Sequence, residues 1–164
     1  MRGASSARWR CCVGARGYLL PVRKNLAPDD LGDLLEQPLV AVLATYRRDG
    51  TVLLSPVWHE WQDGGFNVVT NADGVKVRHL RRDPRAAIVV CESRPPYRGI
   101  EVQGEARLEA IGDATRRIAT RYLGERDGAA YAQSAGDDTL IRLVPGRLRA
   151  WDFSDELGQL TPST

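Results

Sequence analysis

The sequence lacks three features that would assign a function quickly: a zinc-type cysteine pattern, a long apolar segment and a nucleophile motif. Its three cysteines include the adjacent pair Cys11 and Cys12, and no C-x-x-C or cysteine–histidine spacing is present. The longest apolar run, residues 39–45, is strand-sized and far short of the roughly 20 residues that cross a bilayer. The only histidines, His59 and His79, stand in no recognisable nucleophile motif. These absences predict no metal site and no membrane partner, and they leave cofactor chemistry open.

Basic residues are unevenly distributed along the chain. Residues 1–28 hold six basic residues and no acidic one, so the remainder carries an acidic excess although the net charge is +2. A nucleic-acid-binding domain would carry the basic excess in its folded part, so we expect no nucleic-acid partner. Arginines interrupt every apolar stretch that a secretory signal would need. We therefore predict a cytoplasmic protein, with Cys91 as a buried reduced thiol.

These features divide the chain into three parts. Residues 1–27 are predicted to be a basic, disordered extension, residues 28–155 a single domain, and residues 156–164 a tail. Apolar and alternating runs predict antiparallel strands at 39–46, 51–61, 66–70, 85–91, 100–108, 140–144 and 148–153. Because short turns join these strands and closure removes exposed edges, we expect a mainly β, six- to seven-stranded antiparallel split β-barrel with short flanking helices.

Local signals refine this reading at several positions. Pro56 cannot donate to a sheet ladder, so its strand should lie at an edge or carry a bulge. Pro145-Gly146 should turn the last two strands into a hairpin. Asp73 is the expected N-cap of a helix from Gly74 to Arg82. Further helices are predicted after Pro28 and before Gly124, with a helical or irregular stretch at 125–135.

The end of the third strand carries the clearest site signal. Thr70 and Asn71 end the strand, and a turn containing Gly74 leads into a helix N-terminus, where free backbone N–H groups favour an anion. Lys76 lies in the first helical turn, where a cation is unfavourable unless an anion is nearby. Of 23 basic residues only Lys24 and Lys76 are lysines, which favours a specific role at position 76, although chance is an alternative.

Several motifs in order resemble those of a known family. They are Val42-Leu-Ala-Thr45, Ser55-Pro-Val-Trp58, Val69-Thr-Asn, Lys76-x-Arg78-x-Leu80-Arg-Arg-Asp-Pro84 and Gly104-Glu-Ala106. The chain resembles the pyridoxamine 5′-phosphate oxidase-like split-barrel superfamily over residues 28–155. Within it, the resemblance is greatest to the branch that uses the deazaflavin coenzyme F-420.

The resemblance implies a set of cofactor-binding residues. In such proteins the strand that corresponds to Ser55, Pro56, Val57 and Trp58 runs beside the flavin-type ring. Thr70, Asn71, Lys76 and Arg78 occupy the positions that hold the phosphate or acidic tail of the cofactor, and Arg81 and Arg82 are candidates to attract a polyglutamate tail. The resemblance also implies a homodimer with the cofactor at the interface, and no separate catalytic side chain is assigned.

Two departures bear on the activity. The C-terminal segment around Trp151 lacks the substrate-phosphate residues of pyridoxamine phosphate oxidases proper, and Gly74-Val75 replaces a Ser-Arg or Ser-Lys pair that often precedes the lysine in FMN-binding relatives. The expected function is hydride transfer between a reduced deazaflavin and a small organic acceptor. The alternatives are an FMN-dependent oxidoreductase, a non-catalytic flavin- or haem-binding module, and a dimerisation scaffold. Tyr97 and Arg98 are candidates for a substrate opening, or simply surface loop.

Overall fold

Antiparallel pairing joins all the strands of the computed structural model, which describes residues 23–154. The strands described there are β1 (Arg23–Lys24), β2 (Ala41–Tyr46), β3 (Val52–Val57), β4 (Glu60–Gln62), β5 (Gly65–Asn71), β6 (Arg85–Cys91), β7 (Gly99–Glu109), β8 (Asp138–Leu143) and β9 (Arg147–Asp152). Their order is β3-β2-β6-β7-β8-β5-β4, with β9 on β7 and β1 on β9. The sheet curls into the predicted split barrel.

Side-chain alternation along the strands places the core inside this curl. Ile100, Val102 and Ala106 of β7 are buried, whereas the intervening positions face outward, as the sequence pattern predicts. Leu43 of β2 and Phe66 of β5 complete the apolar centre. In β6 the buried residues also alternate, which places Cys91 on the outer face. The prediction of a buried thiol is therefore wrong, because Cys91 is exposed.

The predicted strand 51–61 is divided between the two halves of the sheet. β3 pairs only with β2, and Pro56 lies opposite Val42. β3 is therefore an edge strand, which confirms the prediction from Pro56. The chain leaves the ladder at Trp58–His59 and resumes as β4, which pairs with β5 in the other half. This break and the short β1 account for the two strand segments beyond the seven that the sequence predicts.

The predicted hairpin of the last two strands is wrong. β8 and β9 do not pair with each other; both pair with β7, with Leu143 opposite Ala106 and Arg147 opposite Gln103. The register shifts by one residue between the segments, which is the signature of a β-bulge. At the bulge the Gly146 N–H donates to the Gln103 carbonyl at 3.0 Å. Pro145-Gly146 thus carries the chain onward along the same edge of β7.

Four short helices flank the sheet in the described part of the chain. Pro28–Leu35 is a 3₁₀ helix, kinked at Gly32, where φ is +60°. The others are α1 (Val75–Arg82), α2 (Ala114–Leu123) and α3 (Glu125–Ser134), and α3 resolves the helical-or-irregular alternative for 125–135. The predicted cap at Asp73 is wrong: Gly74 is the N-cap residue and no side chain caps α1. No helix within residues 23–154 is long and apolar enough to cross a membrane.

The predicted ends of the domain fall at the limits of the described residues. Arg23–Lys24, inside the segment expected to be an extension, pairs with Trp151 and Asp152 of β9. Residues 1–22 of that extension and the predicted tail at 156–164 lie outside the described residues.

Candidate functional site

A cleft of about 370 Å³ opens between the edge of β3, the end of β5 and helices α1 and α3. Its volume is within the range of roughly 300–1,000 Å³ typical of small-molecule sites. The cleft is lined by Val40, Pro56, Val57, Trp58, Val69, Thr70, Lys76 and Tyr131. Five of the eight residues that the sequence analysis assigned to cofactor binding therefore meet at one place, although they come from three separate elements.

One side of the cleft is an apolar and aromatic wall. Trp58 leaves the end of β3 and stacks on Tyr122 of α2, with ring centroids 4.9 Å apart and planes 10° from parallel. Tyr131 of α3 lies tilted against Trp58 at 5.6 Å. The Tyr122 hydroxyl donates to the Leu39 carbonyl at 2.6 Å and so holds the stacked ring in place. This wall can accept a flat ring without strong polar contacts.

The opposite end of the cleft is polar. Lys76 is half-buried in the first turn of α1, and no carboxylate of the described residues pairs with it. Thr70 presents its hydroxyl beside the same helix N-terminus; a Cβ built on Gly74 would lie 3.7 Å from that hydroxyl oxygen. The first backbone N–H groups of a helix have no partner within the helix. Together these groups have the charge and the free N–H donors that suit an anion, and they make this end of the cleft a candidate anion site.

The turn before α1 leaves no room for a side chain at Gly74. A Cβ built on it would lie 2.8 Å from the Asn71 carbonyl oxygen, which already accepts the Gly74 N–H at 2.9 Å. A serine at this position, as expected in FMN-binding relatives, would collide with backbone unless the turn shifted. The departure from the FMN-type pattern thus has a local structural basis.

Three of the predicted site residues do not line the cleft. Ser55 lies opposite the buried Leu43, on the inner face of the sheet. Asn71 accepts the Asp73 N–H at 2.9 Å and shapes the turn before α1. Arg78 donates to the Asp73 carbonyl at 2.5 Å, which directs its guanidinium to the same turn. Asn71 and Arg78 therefore support the anion site through the loop rather than lining it.

Both histidines are buried away from the cleft. His59 is fully buried behind Trp58, and burial together with the Arg121 cation lowers its pKa to about 4. His79 faces β2 and contacts the Thr45 hydroxyl at 3.0 Å through Nδ1. Neither imidazole is placed to exchange protons with a molecule in the cleft.

Sequence reasoning missed three lining residues: Val40, Val69 and Tyr131. Val40 and Tyr131 are about half exposed, at 53% and 47%. Tyr131 is the one aromatic of helix α3, among charged, polar and small residues, and this is the one signal that could have indicated it. Arg98, a candidate for the opening, instead binds Glu92, Asp33 and the Leu31 carbonyl, which fastens the 3₁₀ helix.

The family model described as pyridoxamine 5′-phosphate oxidase matches residues 27–152, which include the whole cleft. The chain belongs to this family. Its members are flavin-binding oxidoreductases, and the chain has their fold. A search of the curated proteins gives no match.

Solved structures of this fold match the chain over most of their length. A conserved hypothetical protein from Mycobacterium tuberculosis is 26% identical with a TM-score of 0.69, over 85% of this chain and 91% of that chain. A protein described as an F420 reductase is 27% identical with a TM-score of 0.61, over 74% and 98%. An FAD-binding protein from Mesorhizobium loti, 20% identical with a TM-score of 0.58 over 80% and 96%, shares the fold.

The cleft fits a flavin-type group by its own chemistry. Pro56, Val57 and Trp58 offer an apolar surface for a ring, and the half-buried Lys76, which pairs with no carboxylate in the described part of the chain, offers a positive charge to a phosphate. A buried or half-buried cation without a partner loses hydration and gains no Coulomb attraction in return. An anionic ligand would supply that attraction.

Proposed function

We propose that the chain is an oxidoreductase that binds the deazaflavin coenzyme F-420 in this cleft and uses it to transfer a hydride to a small organic acceptor. The observation that carries the proposal is Lys76: a half-buried cation with no partner among residues 23–154, at the polar end of an otherwise apolar cleft. Thr70, Lys76 and the N-terminus of α1 bind the phosphate. Asn71 and Arg78 maintain the turn that presents them.

The edge of β3 is the place for the ring. Its outer side pairs with no strand in the described part of the chain, so its outward N–H and C=O groups are free to bond ring substituents. Trp58, held by Tyr122, closes one side and keeps water from the ring. When bound, the cofactor supplies the hydride chemistry, so the protein contributes position and exclusion of water rather than an acid–base pair.

Two features favour the deazaflavin over FMN. Gly74-Val75 offers neither a hydroxyl nor a second cation for an FMN phosphate, and the close approach of Gly74 to Asn71 resists a larger residue there. Arg81 is exposed and pairs with no carboxylate among the described residues, so it is available to an acidic tail. The match to an F420 reductase agrees with this choice. FMN is the second candidate cofactor, supported by the family itself.

A homodimer is part of the proposal. The cleft is open, and apolar residues at its rim and along the β3 edge are exposed, among them Val40 and Leu54, which is 64% exposed. Exposed apolar clusters commonly mark an interface. A second copy packed there would cover the cofactor. Sedimentation of the full chain, with and without cofactor, tests this part of the proposal; a monomer under both conditions would remove it.

Cofactor titration tests the proposed activity. The purified full chain should be colourless and quench the fluorescence of F-420 on titration, with a higher affinity for F-420 than for FMN. A yellow protein with a two-band flavin spectrum would instead establish the FMN alternative. Binding of neither would overturn both. The reduced deazaflavin should then be oxidised in the presence of suitable acceptors, whereas a storage module would bind it without turnover.

Two variants on α1 distinguish a direct phosphate contact of Lys76 from the effect of losing any positive charge on the helix. Lys76→Ala should weaken F-420 and FMN alike by about 10- to 100-fold, as expected for a lost charge-assisted contact. Arg81→Ala is the matched control: it should leave FMN affinity unchanged and weaken only an F-420 with a long glutamate tail. Equal effects of both variants on FMN would remove the specific role from Lys76.

A further inference from the structure

A buried polar contact joins helix α1 to strand β2. The Thr45 hydroxyl and His79 Nδ1 are 3.0 Å apart, and the two side chains are 0% and 8% exposed. His79 lies one helical turn after Lys76, on the face of α1 that packs against the sheet. The contact therefore connects the barrel core to the helix that carries the cationic end of the cleft.

The N-terminal end of α1 is joined to the preceding turn by hydrogen bonds of Gly74 and Arg78, but among the described residues it has few directional contacts with β2 and β7, the strands on which the helix packs. No side chain caps the helix, and Val77 and Leu80 hold it by apolar packing, which is non-directional. Arg82 donates to the Tyr46 carbonyl from the far end of the helix. A hydrogen bond restricts distance and angle, so the Thr45–His79 contact fixes the rotation of α1 in a way that apolar packing does not.

The surroundings of His79 keep the ring neutral. Burial lowers its pKa, and the nearby cations of Arg82 and Arg78 on α1 and of Arg47 after β2 lower it further. β7, the other strand packed against α1, contributes no charge to those acting on the ring, and no carboxylate is among them in the described chain. A neutral imidazole forms one hydrogen bond with the hydroxyl and adds no positive charge beside these arginines.

We propose that Thr45 and His79 are positioning residues: their hydrogen bond sets the rotation of α1 on β2 and thereby holds Lys76 at the cleft. The proposal rests on the proposed function in one respect, that Lys76 binds the phosphate of the cofactor. It adds that the affinity of the site depends on two residues that touch no ligand.

Matched variants at Thr45 test the proposal. Thr45→Val keeps the shape of the side chain and removes the hydroxyl, so it should weaken binding of F-420 or FMN by about three- to tenfold. Thr45→Ser keeps the hydroxyl and should stay within about twofold of the parent. His79→Asn, which places a polar atom near the position of Nδ1, should bind more tightly than His79→Leu. Equal affinities within each pair would overturn the proposal.

A double variant decides whether the effect passes through Lys76. In the Lys76→Ala background, Thr45→Val should cause no further loss of affinity, because the group it positions is absent. If Thr45→Val instead weakens binding by the same factor in the Lys76→Ala background as in the parent, Thr45 has a merely structural role and the proposal is contradicted. Unfolding of every variant is followed by circular dichroism, so that the comparison is made on folded protein.

A measurement without cofactor separates this proposal from the proposed function. Amide hydrogen exchange in residues 78–82 of the free protein, whose N–H groups are bonded within α1, should be faster in Thr45→Val than in the parent or in Thr45→Ser. Unchanged exchange in Thr45→Val would overturn the positioning role. A third outcome combines faster exchange in Thr45→Val with a parent that binds neither F-420 nor FMN. In that case the Thr45–His79 contact does order α1, but the proposed function fails, and with it the role of Lys76 in phosphate binding.

Discussion

Trp58 and Tyr122 stack nearly parallel at 4.9 Å, so the wall of the cleft depends on helix α2 as much as on the strand that carries Trp58. The Tyr122 hydroxyl donates to the Leu39 carbonyl and accepts the His59 N–H at 3.2 Å. One side chain thus connects the segment before β2, the break between β3 and β4, and the aromatic wall.

Substitutions at Tyr122 should distinguish the contribution of its stacked ring from that of its hydroxyl hydrogen bonds. Tyr122→Phe keeps the stack and should lower the free energy of unfolding by about 1 kcal/mol through the lost hydrogen bonds. Tyr122→Leu also loses the aromatic contact, worth roughly 0.5–1.5 kcal/mol beyond buried area, and should weaken cofactor binding in addition. Urea unfolding and cofactor titration measure the two effects. If Phe and Leu weaken the cofactor equally, the stack does not order the wall.

The contact between α2 and α3 should tolerate no larger residue at Gly128. A Cβ built there would lie 2.4 Å from backbone atoms of Thr120. Gly128→Ala should therefore push α3 away, destabilise the protein by about 1–3 kcal/mol and displace Tyr131 from the cleft. Gly136→Ala is the control, since nothing lies within 4 Å of its Cβ. A stable Gly128→Ala protein with normal cofactor affinity would contradict this account.

Acid should destabilise the protein through His59. Burial and the Arg121 cation depress its pKa to about 4, against the ordinary value of 6.5. Between these values the unfolded chain binds a proton that the folded chain does not. The free energy of unfolding is therefore highest above pH 6.5 and falls by roughly 3 kcal/mol as the pH decreases toward 4.

Unfolding experiments across this pH range provide the measurement. A His59→Phe variant keeps a ring in the pocket and has no titrating group at this position, so its stability should vary much less between pH 6.5 and 4. An identical slope in the variant would assign the acid sensitivity to other groups.

Arg98 should affect stability without affecting the cofactor. Its guanidinium pairs with Glu92, reaches Asp33 and donates to the Leu31 carbonyl at 2.9 Å, and none of these residues lines the cleft. Arg98→Ala should cost about 2 kcal/mol, chiefly by leaving the largely buried Glu92 without its partner. Its affinity for F-420 or FMN should equal that of the parent. Weaker binding with unchanged stability would restore the role at the substrate opening considered from the sequence.

The sequence by itself determined the strand–turn–helix segment around Lys76. Periodicity places Val77 and Leu80 toward the core, and Pro56 requires an edge strand or a bulge, because these outcomes follow from local geometry and from a missing N–H. The anion signal at Thr70, Asn71 and Lys76 also lies within one short segment, whereas residues 55–58 were assigned only through the family resemblance.

The tertiary structure alone decided which of those residues meet. Ser55 faces inward because it lies opposite Leu43 in the pairing of β3 with β2. β8 continues into β9 through a bulge because both strands pair with the same edge of β7. Tyr131 reaches the cleft only through the packing of α3 on α2, 60 residues along the chain from β5. Contacts between distant segments depend on which strands pair and on how the helices pack, and a local sequence pattern does not identify the distant partner.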